Sequence, residues 1–295
     1  MTEAEFIAAL RRLPLHPGAL GLADDAARLG GFVVTTDTLV EGVHFLPTDP
    51  PGDVAWKAVA VNLSDLAAKG AEPEGILLNY PLSGDGWDRA FLAGLNACLA
   101  ALDCPLLGGD TVSLPAGAPR VLTVTAFGRD AAAPTRSGAQ AGDNLWVTGT
   151  IGDAGAGLAI ARGADGPDAL LAAYRRPRPR LAEGRALAPI AHAMMDVSDG
   201  LLIDAWRMAV ASGLEVTIAL DAVPLSAAYR GYSGDVLAAV TAGDDYQLLC
   251  ALAPDQRATW HATCIGSFAA GRGLVLTRDG APIPVPERLG FEHRA

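Results

Sequence analysis

Hydrophobic and polar positions alternate along this chain in two ways that predict two kinds of element. Short runs rich in β-branched and aromatic residues, bounded by Gly, Pro and Asp, favour strands, whereas longer apolar or amphipathic segments favour helices. In the first half the pattern predicts strands at 32–36, 75–82 and 120–128, and helices near 54–69 and 86–102. In the second half it predicts strands in NLWVTG, MMDV, EVTIAL and YQLLCAL, and a terminal hairpin in LVLTRDGAPIPV. This alternation predicts an α/β or α+β fold.

A turn-rich stretch, RDAAAPTRSGAQAGD at 129–143, separates the two sets of elements. Clusters of Gly, Pro, Ser and Asp are typical of connections rather than of strands or helices. The length of 295 residues is enough for two domains of ordinary size. We therefore predict two α/β domains, residues 1–135 and 136–295.

Composition narrows the class of protein. With 51% hydrophobic and 19% charged residues, the chain can bury a sizeable core, which excludes intrinsic disorder and a coiled coil. No apolar run approaches the roughly 18–20 residues of a membrane span, and no signal peptide is visible, so we expect a cytoplasmic protein. The net charge of −11 repels nucleic acid and anionic membranes, and we expect neither as a partner. Arginines at 175, 176, 178 and 180 alternate with prolines, which is typical of a solvated, stiff connector.

Aspartates recur beside glycines and at the ends of predicted strands, where α/β folds place ligand groups. They are Asp24, Asp25, Asp37, Asp110, Asp196, Asp199, Asp244 and Asp245. Taken singly, each has a simpler structural explanation, because Asp favours turns and helix N-caps.

Asp65 is harder to explain in this way. Its segment, VAWKAVAVNLSDLAAKGA, is apolar nearly all round, as expected of a buried helix. A buried carboxylate needs a partner. Two partners are open: Lys69, as an i,i+4 ion pair, or a metal ion.

Two further segments join a predicted strand to a predicted helix. In MMDVSDGLLID, at 194–204, Ser198 is placed to cap the helix with Asp199 in its first turn, and the register excludes an EF-hand loop. The glycines of VTGTIGDAGAGLAI, at 147–160, match neither a P-loop nor the G-x-G-x-x-G fingerprint. This second segment either cradles an anion with its backbone N–H groups or makes a tight connection.

Taken together, the carboxylates indicate a chemistry. No G-x-S-x-G elbow is present, and His44 is either a satisfied structural group or part of a site. An acidic cleft repels phosphates, so carboxylates that converge on a phosphate ligand need divalent cations between them. Mg²⁺ suits this arrangement, and the pattern indicates Mg-assisted phosphoryl transfer.

Eight ordered motifs cover nearly the whole chain. They are LGLADDAA (20–27), TTDTLVEGVHF (35–45), KAVAVNLSDLAAKGAEP (57–73), GGDTV (108–112), TRSGAQAGD (135–143), WVTGTIGDAGAGL (146–158), MDVSDGL (195–201) and AGDDYQLL (242–249). With them the chain resembles the thiamine-monophosphate kinase family, of the superfamily that includes aminoimidazole-ribonucleotide synthetase and selenophosphate synthetase. The resemblance implies ATP-dependent phosphorylation of thiamine monophosphate to thiamine diphosphate. It also implies a two-domain, aminoimidazole-ribonucleotide synthetase-like α/β fold and a homodimer whose amino-terminal sheets pair.

The same resemblance implies roles for individual residues. Several Mg²⁺ ions would be bound by Asp25, Thr35, Thr36, Asp37, Asp65, Asp110, Asp196 and Asp199. ATP would contact Gly109, Asp110, Arg136 and Ser198. Thiamine monophosphate would be approached by His44, Asp244 and Phe291. No general base is expected, because the acceptor phosphate already carries an anionic oxygen at neutral pH.

Two positions depart from the family pattern. Ala23 stands where the family usually has the second glycine of G-x-G-D-D, so the backbone at residue 23 is expected to avoid positive φ. Asp244 stands where the family usually has the Glu of G-E-D-Y-E, which leaves a shorter acid at the substrate position.

Two rival functions are open. The first is another enzyme of the superfamily that uses the same Mg-ATP site on a different acceptor. NLSD at 62–65 favours the thiamine enzyme, and a selenophosphate synthetase would need a reactive Cys near the amino terminus, whereas the first here is Cys98. The second rival is a non-catalytic Mg- or nucleotide-binding regulator, against which the retained aspartates argue.

Overall fold

The computed structural model describes residues 2–129, 133–257 and 262–292. The first half forms a mixed sheet of β1 (Ala27–Leu29), β2 (Phe32–Val40), β3 (Glu72–Leu82), β4 (Leu106–Ser113) and β5 (Val121–Arg129). Their order is β1-β2-β5-β3-β4, and only the pair β3–β4 is parallel among these strands. β4 is therefore an edge strand of this sheet.

The second half forms a separate mixed sheet. Its strands are β6 (Asn144–Thr148), β7 (Ala191–Asp196), β8 (Glu215–Ala219), β9 (Leu248–Leu252), β10 (Ala262–Ala269), β11 (Gly273–Arg278) and β12 (Ala281–Ile283). Their order is β12-β11-β8-β10-β6-β9-β7, with β8 and β11 parallel. The α/β expectation with two sheets is confirmed.

Helices cover both sheets. They are α1 (Glu3–Leu10), α2 (Pro51–Ala68), α3 (Asp85–Ala101), α4 (Asp153–Ala161), α5 (Asp168–Arg175), α6 (Leu181–Leu187), α7 (Leu201–Ser212), α8 (Ala227–Tyr232) and α9 (Val236–Thr241), with short 3-10 turns at Pro17–Leu22 and Leu220–Ala222. Within the described residues, no helix has the length and apolar character needed to cross a membrane.

Helix α2 is shared by the two halves. A proline begins it, where the missing N–H costs nothing, and most of its side chains are buried. It packs beneath β2 and β5 of the first sheet and against α6 and β7 of the second half. Polar residues of α2 therefore face the strand ends of both halves.

The segment that carries the arginine run is docked on α2. Pro177 and Pro179 are buried. The indole N–H of Trp56 donates to the carbonyl of Pro177 over 2.9 Å, and Arg176 pairs with Asp53 over 2.5 Å. The expectation of a solvated connector is wrong, because α2 offers both a donor and an acid that hold this segment.

Candidate active site

Five aspartates from both halves converge where β2, α2 and β7 meet, and we call them the carboxylate cluster: Asp25, Asp37, Asp65, Asp196 and Asp199. Burial, followed by repulsion from Asp25 and Asp199, raises the pKa of Asp37 to about 6. Burial and the neighbouring carboxylates raise the pKa of Asp65 and of Asp196 well above the ordinary range. The cluster thus holds more negative charge than its own surroundings neutralise.

Hydroxyl groups hold two of these carboxylates in place. Thr35, on the buried face of β2, donates from Oγ1 to Oδ2 of Asp65 over 2.5 Å. Ser64 of α2 donates from Oγ to Oδ2 of Asp196 over 2.5 Å, and so links the two halves. The location of Thr35, Asp65 and Asp196 at one site agrees with the sequence-based expectation.

Two basic side chains neutralise one end of the cluster. Lys69 donates to Oδ1 of Asp24 over 2.5 Å and to Oδ2 of Asp25 over 3.2 Å, and Arg136 also binds Asp25. Burial would raise the pKa of Asp25, but Lys69 and Arg136 together bring it below the ordinary value. The i,i+4 partner proposed for Asp65 is therefore wrong, because Lys69 is bound to the Asp24–Asp25 pair.

The turn after β7 is organised by Asp204, a residue that the sequence did not single out. Its Oδ2 accepts the backbone N–H groups of Ser198, Asp199 and Gly200 over 3.1, 3.0 and 3.2 Å. Arg207 binds the carboxylates of both Asp199 and Asp204. The helix α7 has Gly200 as its N-cap, so the expectation that Ser198 caps it is wrong. Asp204 instead satisfies the free N–H groups from within the first turn.

The donor set of the cluster fits Mg²⁺ in its chemistry. Carboxylate oxygens are the ligands that this hard cation prefers, and burial, followed by repulsion among the carboxylates, raises the pKa values of Asp37, Asp65 and Asp196, an effect that a bound cation would oppose. No three His, Cys, Asp or Glu side chains in the described part of the chain are grouped with the spacing of a finished metal site. The five carboxylates are thus of the kind that binds Mg²⁺. They are held by hydrogen bonds and ion pairs to protein groups and are not arranged around one point.

Asp110 does not lie with the cluster in a single chain. Asp110 of β4 pairs with Asn79 of β3, and Asn79 pairs with Thr123 of β5. Thr123 pairs in turn with Thr38 of β2, the residue next to Asp37. Three strand spacings of roughly 4.8 Å place Asp110 about 14 Å across the sheet from Thr38. Paired residues share a face and neighbours along a strand alternate, so Asp110 also lies on the face opposite Asp37.

Thr36 and Gly109 also lie away from the cluster. The hydroxyl of Thr36 donates to the carbonyl of Val124 over 3.1 Å, on the open face of the sheet. Gly109 has φ +154°, and a Cβ there would lie 1.8 Å from the carbonyl oxygen of Leu78. Gly109 is therefore required by the close pairing of β3 and β4, whatever ligand it contacts.

The residues expected to bind thiamine monophosphate adjoin the cluster. Lys57 of α2 donates to the carbonyl of His44 over 3.0 Å and to Oδ2 of Asp244 over 2.6 Å. Nδ1 of His44 accepts the backbone N–H of Val40 over 3.0 Å, which orients the ring. The structure therefore brings His44 and Asp244 to the two sides of one lysine.

Backbone hydrogen bonds join this substrate side to the turn after β7. The N–H of Asp244 donates to the carbonyl of Ser198 over 2.8 Å, and the N–H of Phe291 donates to the carbonyl of Asp199 over 2.8 Å. Asp244 adopts φ +70°, an uncommon value for a residue other than glycine. Residues assigned to the substrate and to the phosphates are thus adjacent.

The glycine-rich turn between β6 and α4 makes a tight connection, and its N–H groups bind a side chain of the protein. The N–H groups of Gly152 and Ala154 donate to the carboxylate of Asp245 over 2.9 and 3.4 Å. Burial raises the pKa of Asp245 well above its usual range, and these two donors oppose that effect. The turn is tight, and the group that its N–H donors bind is a carboxyl side chain of the protein.

The altered glycine position behaves as expected. Ala23 has φ −113°, and the positive values fall at Leu20, Gly21 and Leu22 instead. The backbone at residue 23 therefore does not require a glycine.

Four further polar residues belong to the site: Lys57, which sequence reasoning missed, Asn62 and Ser64, which it noted as polar positions on an apolar helix, and Lys69, which it offered as the partner of Asp65. All four belong to α2 or directly follow it, in the segment where Asp65 was noticed because a polar group on an apolar helix needs a partner. The amide oxygen of Asn62 accepts the N–H of Asp37 over 3.0 Å. Asn62 and Ser64 thus follow from the criterion that found Asp65, whereas the role of Lys57 follows only from its distant partner Asp244.

Two family models match the chain. They are "AIR synthase related protein, N-terminal domain", over residues 23–129, and "AIR synthase related protein, C-terminal domain", over residues 140–279. The fold and these matches define a two-domain α/β protein of the AIR synthase related class.

Individual relatives narrow the class. Thiamine-monophosphate kinase of Escherichia coli (strain K12) is 39% identical over 303 residues, which cover 94% of this chain and 92% of that protein. The structure of AaThiL complexed with AMPPCP and TMP has a TM-score of 0.86 and 29% identity, and covers 99% of this chain and 97% of that chain. The crystal structure of thiamine-monophosphate kinase from Stenotrophomonas maltophilia K279a has a TM-score of 0.77 and 37% identity, and the match covers 94% of this chain and 95% of that chain. The chain belongs to the thiamine-monophosphate kinase family, and the resemblance is confirmed.

Proposed function

We propose that this protein transfers the terminal phosphoryl group of ATP to thiamine monophosphate, giving thiamine diphosphate and ADP. One observation carries the proposal: in a chain of this family, acids from both halves converge on one site beside His44 and Asp244. The complex of the related AaThiL with AMPPCP and TMP supports the choice of nucleotide and acceptor.

The residues of the chain have distinct parts in this proposal. Asp37, Asp65 and Asp196 are the acids that would hold Mg²⁺, with Asp25 and Asp199 beside them. When bound, Mg²⁺ would neutralise the phosphate oxygens of both substrates and align the attacking and leaving oxygens. Arg136 suits the ATP phosphates, because its guanidinium lies at the cluster, where it binds Asp25, and its side chain is 23% exposed.

The acceptor needs no catalytic base. A phosphate monoester has a second pKa near 6 and already presents an anionic oxygen at neutral pH, whereas the hydroxyl of free thiamine would have to lose a proton. The work of the site is then to overcome repulsion between two anionic substrates. We expect direct transfer from ATP to the acceptor, with no phosphorylated form of the enzyme.

The test is to incubate the purified protein with Mg-ATP and one acceptor at a time, and to identify the products by mass spectrometry. We expect thiamine diphosphate and ADP from thiamine monophosphate, no turnover of free thiamine or of aminoimidazole precursors, and no activity in excess EDTA. Comparable turnover of free thiamine, or a ³²P-labelled protein after incubation with γ-labelled ATP, would contradict the mechanism.

We also propose that two copies pair through their first sheets, with the domain boundary near residue 135. Exposed apolar side chains collect on this sheet and its rim: Leu77, Leu82, Leu106, Leu107, Val112 and Val121. The outer edge of β4 also presents backbone groups that another chain can cover. Because Thr36 and Asp110 lie on the open face, their assignment to Mg²⁺ and ATP needs this second copy.

A further inference from the structure

Lys57 is a buried cation between the two predicted substrate residues. Its side chain is 3% exposed, and its ammonium group reaches the carbonyl of His44, the carboxylate of Asp244 and the ring of Tyr174, whose centroid is 4.2 Å away. The hydroxyl of Tyr174 donates to Asp49 over 2.8 Å, which fixes the ring. The ammonium is therefore satisfied and shielded by protein groups on several sides.

The partners of Lys57 come from different parts of the chain. His44 follows β2 of the first sheet, whereas Asp244 precedes β9 of the second sheet, 187 positions after Lys57. Oδ1 of Asp244 accepts the hydroxyl of Tyr246 over 3.0 Å, so its two oxygens are held by two different donors. Asp244, 30% exposed, is the accessible member of its pair with Lys57.

These contacts also explain how Asp244 keeps an uncommon backbone conformation. A residue other than glycine at φ +70° needs surrounding contacts that outweigh its strain. Lys57 and Tyr246 supply two such contacts to the side chain, and Ser198 supplies one to the backbone. Without the ammonium, the Asp244 carboxylate would lose its only charged partner among the described residues.

We propose that Lys57 is a positioning residue for thiamine monophosphate, which sets the distance between His44 and Asp244 and does not itself touch the substrate. This inference rests on the proposed function, because it takes these two residues as the substrate contacts. It predicts that loss of the ammonium weakens the acceptor site and leaves the ATP site as it is.

The test compares Lys57→Met with Arg176→Met in steady-state kinetics for both substrates. Arg176 also pairs with an acid of α2, Asp53, across the two halves, but it is 55% exposed, and its side-chain contacts in the described structure, with Asp53 and the ring of Trp56, include neither His44 nor Asp244. We expect Lys57→Met to raise KM for thiamine monophosphate by about tenfold or more, with KM for ATP changed by less than about twofold. Arg176→Met should change neither KM.

A double-mutant cycle separates positioning from general damage. If Lys57 acts by holding Asp244, Lys57→Met and Asp244→Asn together should raise KM for thiamine monophosphate little more than the worse single substitution. Multiplicative effects, equal changes in the two KM values, or an unchanged KM in a folded Lys57→Met protein would each overturn the proposal.

Lys57→Gln, which keeps a hydrogen-bond donor, covers the case in which Lys57→Met fails to fold. It should show the same split between the two KM values, and failure of both variants to fold would make Lys57 a structural residue and overturn the proposal. Measurements on the wild-type protein distinguish failure of the proposed function from failure of the proposed role of Lys57. Absence of turnover on thiamine monophosphate in wild type refutes the proposed function, whereas wild-type turnover with unaltered variants refutes only the role of Lys57.

Discussion

Single charges in the carboxylate cluster have opposite effects on stability and on catalysis. Burial, followed by repulsion from Asp37 and Asp196, raises the pKa of Asp65, which means that its ionised form is unfavourable in the folded protein near neutral pH. Asparagine keeps the size of the side chain and an oxygen that can accept the hydroxyl of Thr35. Function, by contrast, depends on the charge.

We expect Asp65→Asn to increase the free energy of unfolding in EDTA at pH 7 by about 1 kcal/mol and to lower kcat by about a hundredfold or more. Urea unfolding and steady-state kinetics measure the two effects. Asp85→Asn is the matched control, because Asp85 is 92% exposed and pairs only with Arg89 one helical turn away in the described structure. Wild-type turnover in a folded Asp65→Asn protein would remove Asp65 from the metal ligands.

The sequence predicted the acids of the site better than their partners, for a physical reason. An aspartate at a strand end or on an apolar helix is conspicuous by itself, so Asp37, Asp65 and Asp196 were found. A lysine such as Lys57 can be understood only from its partner, and Asp244 lies 187 positions away. Pairing over such distances is decided by the packing of the two halves on α2.

At the scale of elements, strands with a regular apolar pattern were predicted from the sequence, whereas β4 and β10 were not. β2, β5 and β9 alternate or are apolar throughout, and their segments were found. β4 is exposed along nearly all its length, so it has no apolar face to reveal it. β10, with the sequence ATCIGSFA, is rich in small residues and contains a bulge, although it lies in the middle of its sheet. The formation of β4 and β10 is therefore determined by pairing with neighbouring strands rather than by a side-chain pattern.

The exposed edge of the first sheet leads to a prediction about assembly. Leu107 of β4 is 57% exposed, and a carboxylate there would be buried without a partner if β4 lies at a dimer interface. We expect Leu107→Glu to shift the protein from dimer to monomer in sedimentation experiments. Leu92→Glu, on helix α3 and 59% exposed, should leave the dimer intact. A monomeric wild type, or equal behaviour of the two variants, would exclude this interface.

At the scale of the whole molecule, Lys69 joins the two halves to the segment between them. Its ammonium lies within 2.5 Å of Asp24 and 3.2 Å of Asp25 in the first half. It also donates to the carbonyls of Pro134, in the connection, and Met194, in β7, over 3.4 and 3.3 Å. The side chain is 2% exposed, so these contacts are made away from solvent.

Removing this ammonium would leave two buried carboxylates with less positive charge than they need. Loss of one partner of a buried ion pair typically costs about 3–5 kcal/mol, and Lys69→Met should lower the free energy of unfolding by about that amount. Urea unfolding followed by far-UV circular dichroism measures it. Adding Asp24→Asn to Lys69→Met should recover part of the lost stability, because one of the two unpaired charges is then removed. Arg89→Met is the control: the side chain of Arg89 is 79% exposed in its pair with Asp85, and its loss should have no measurable effect on stability. A Lys69→Met protein as stable as wild type would show that packing on α2 alone holds the halves together.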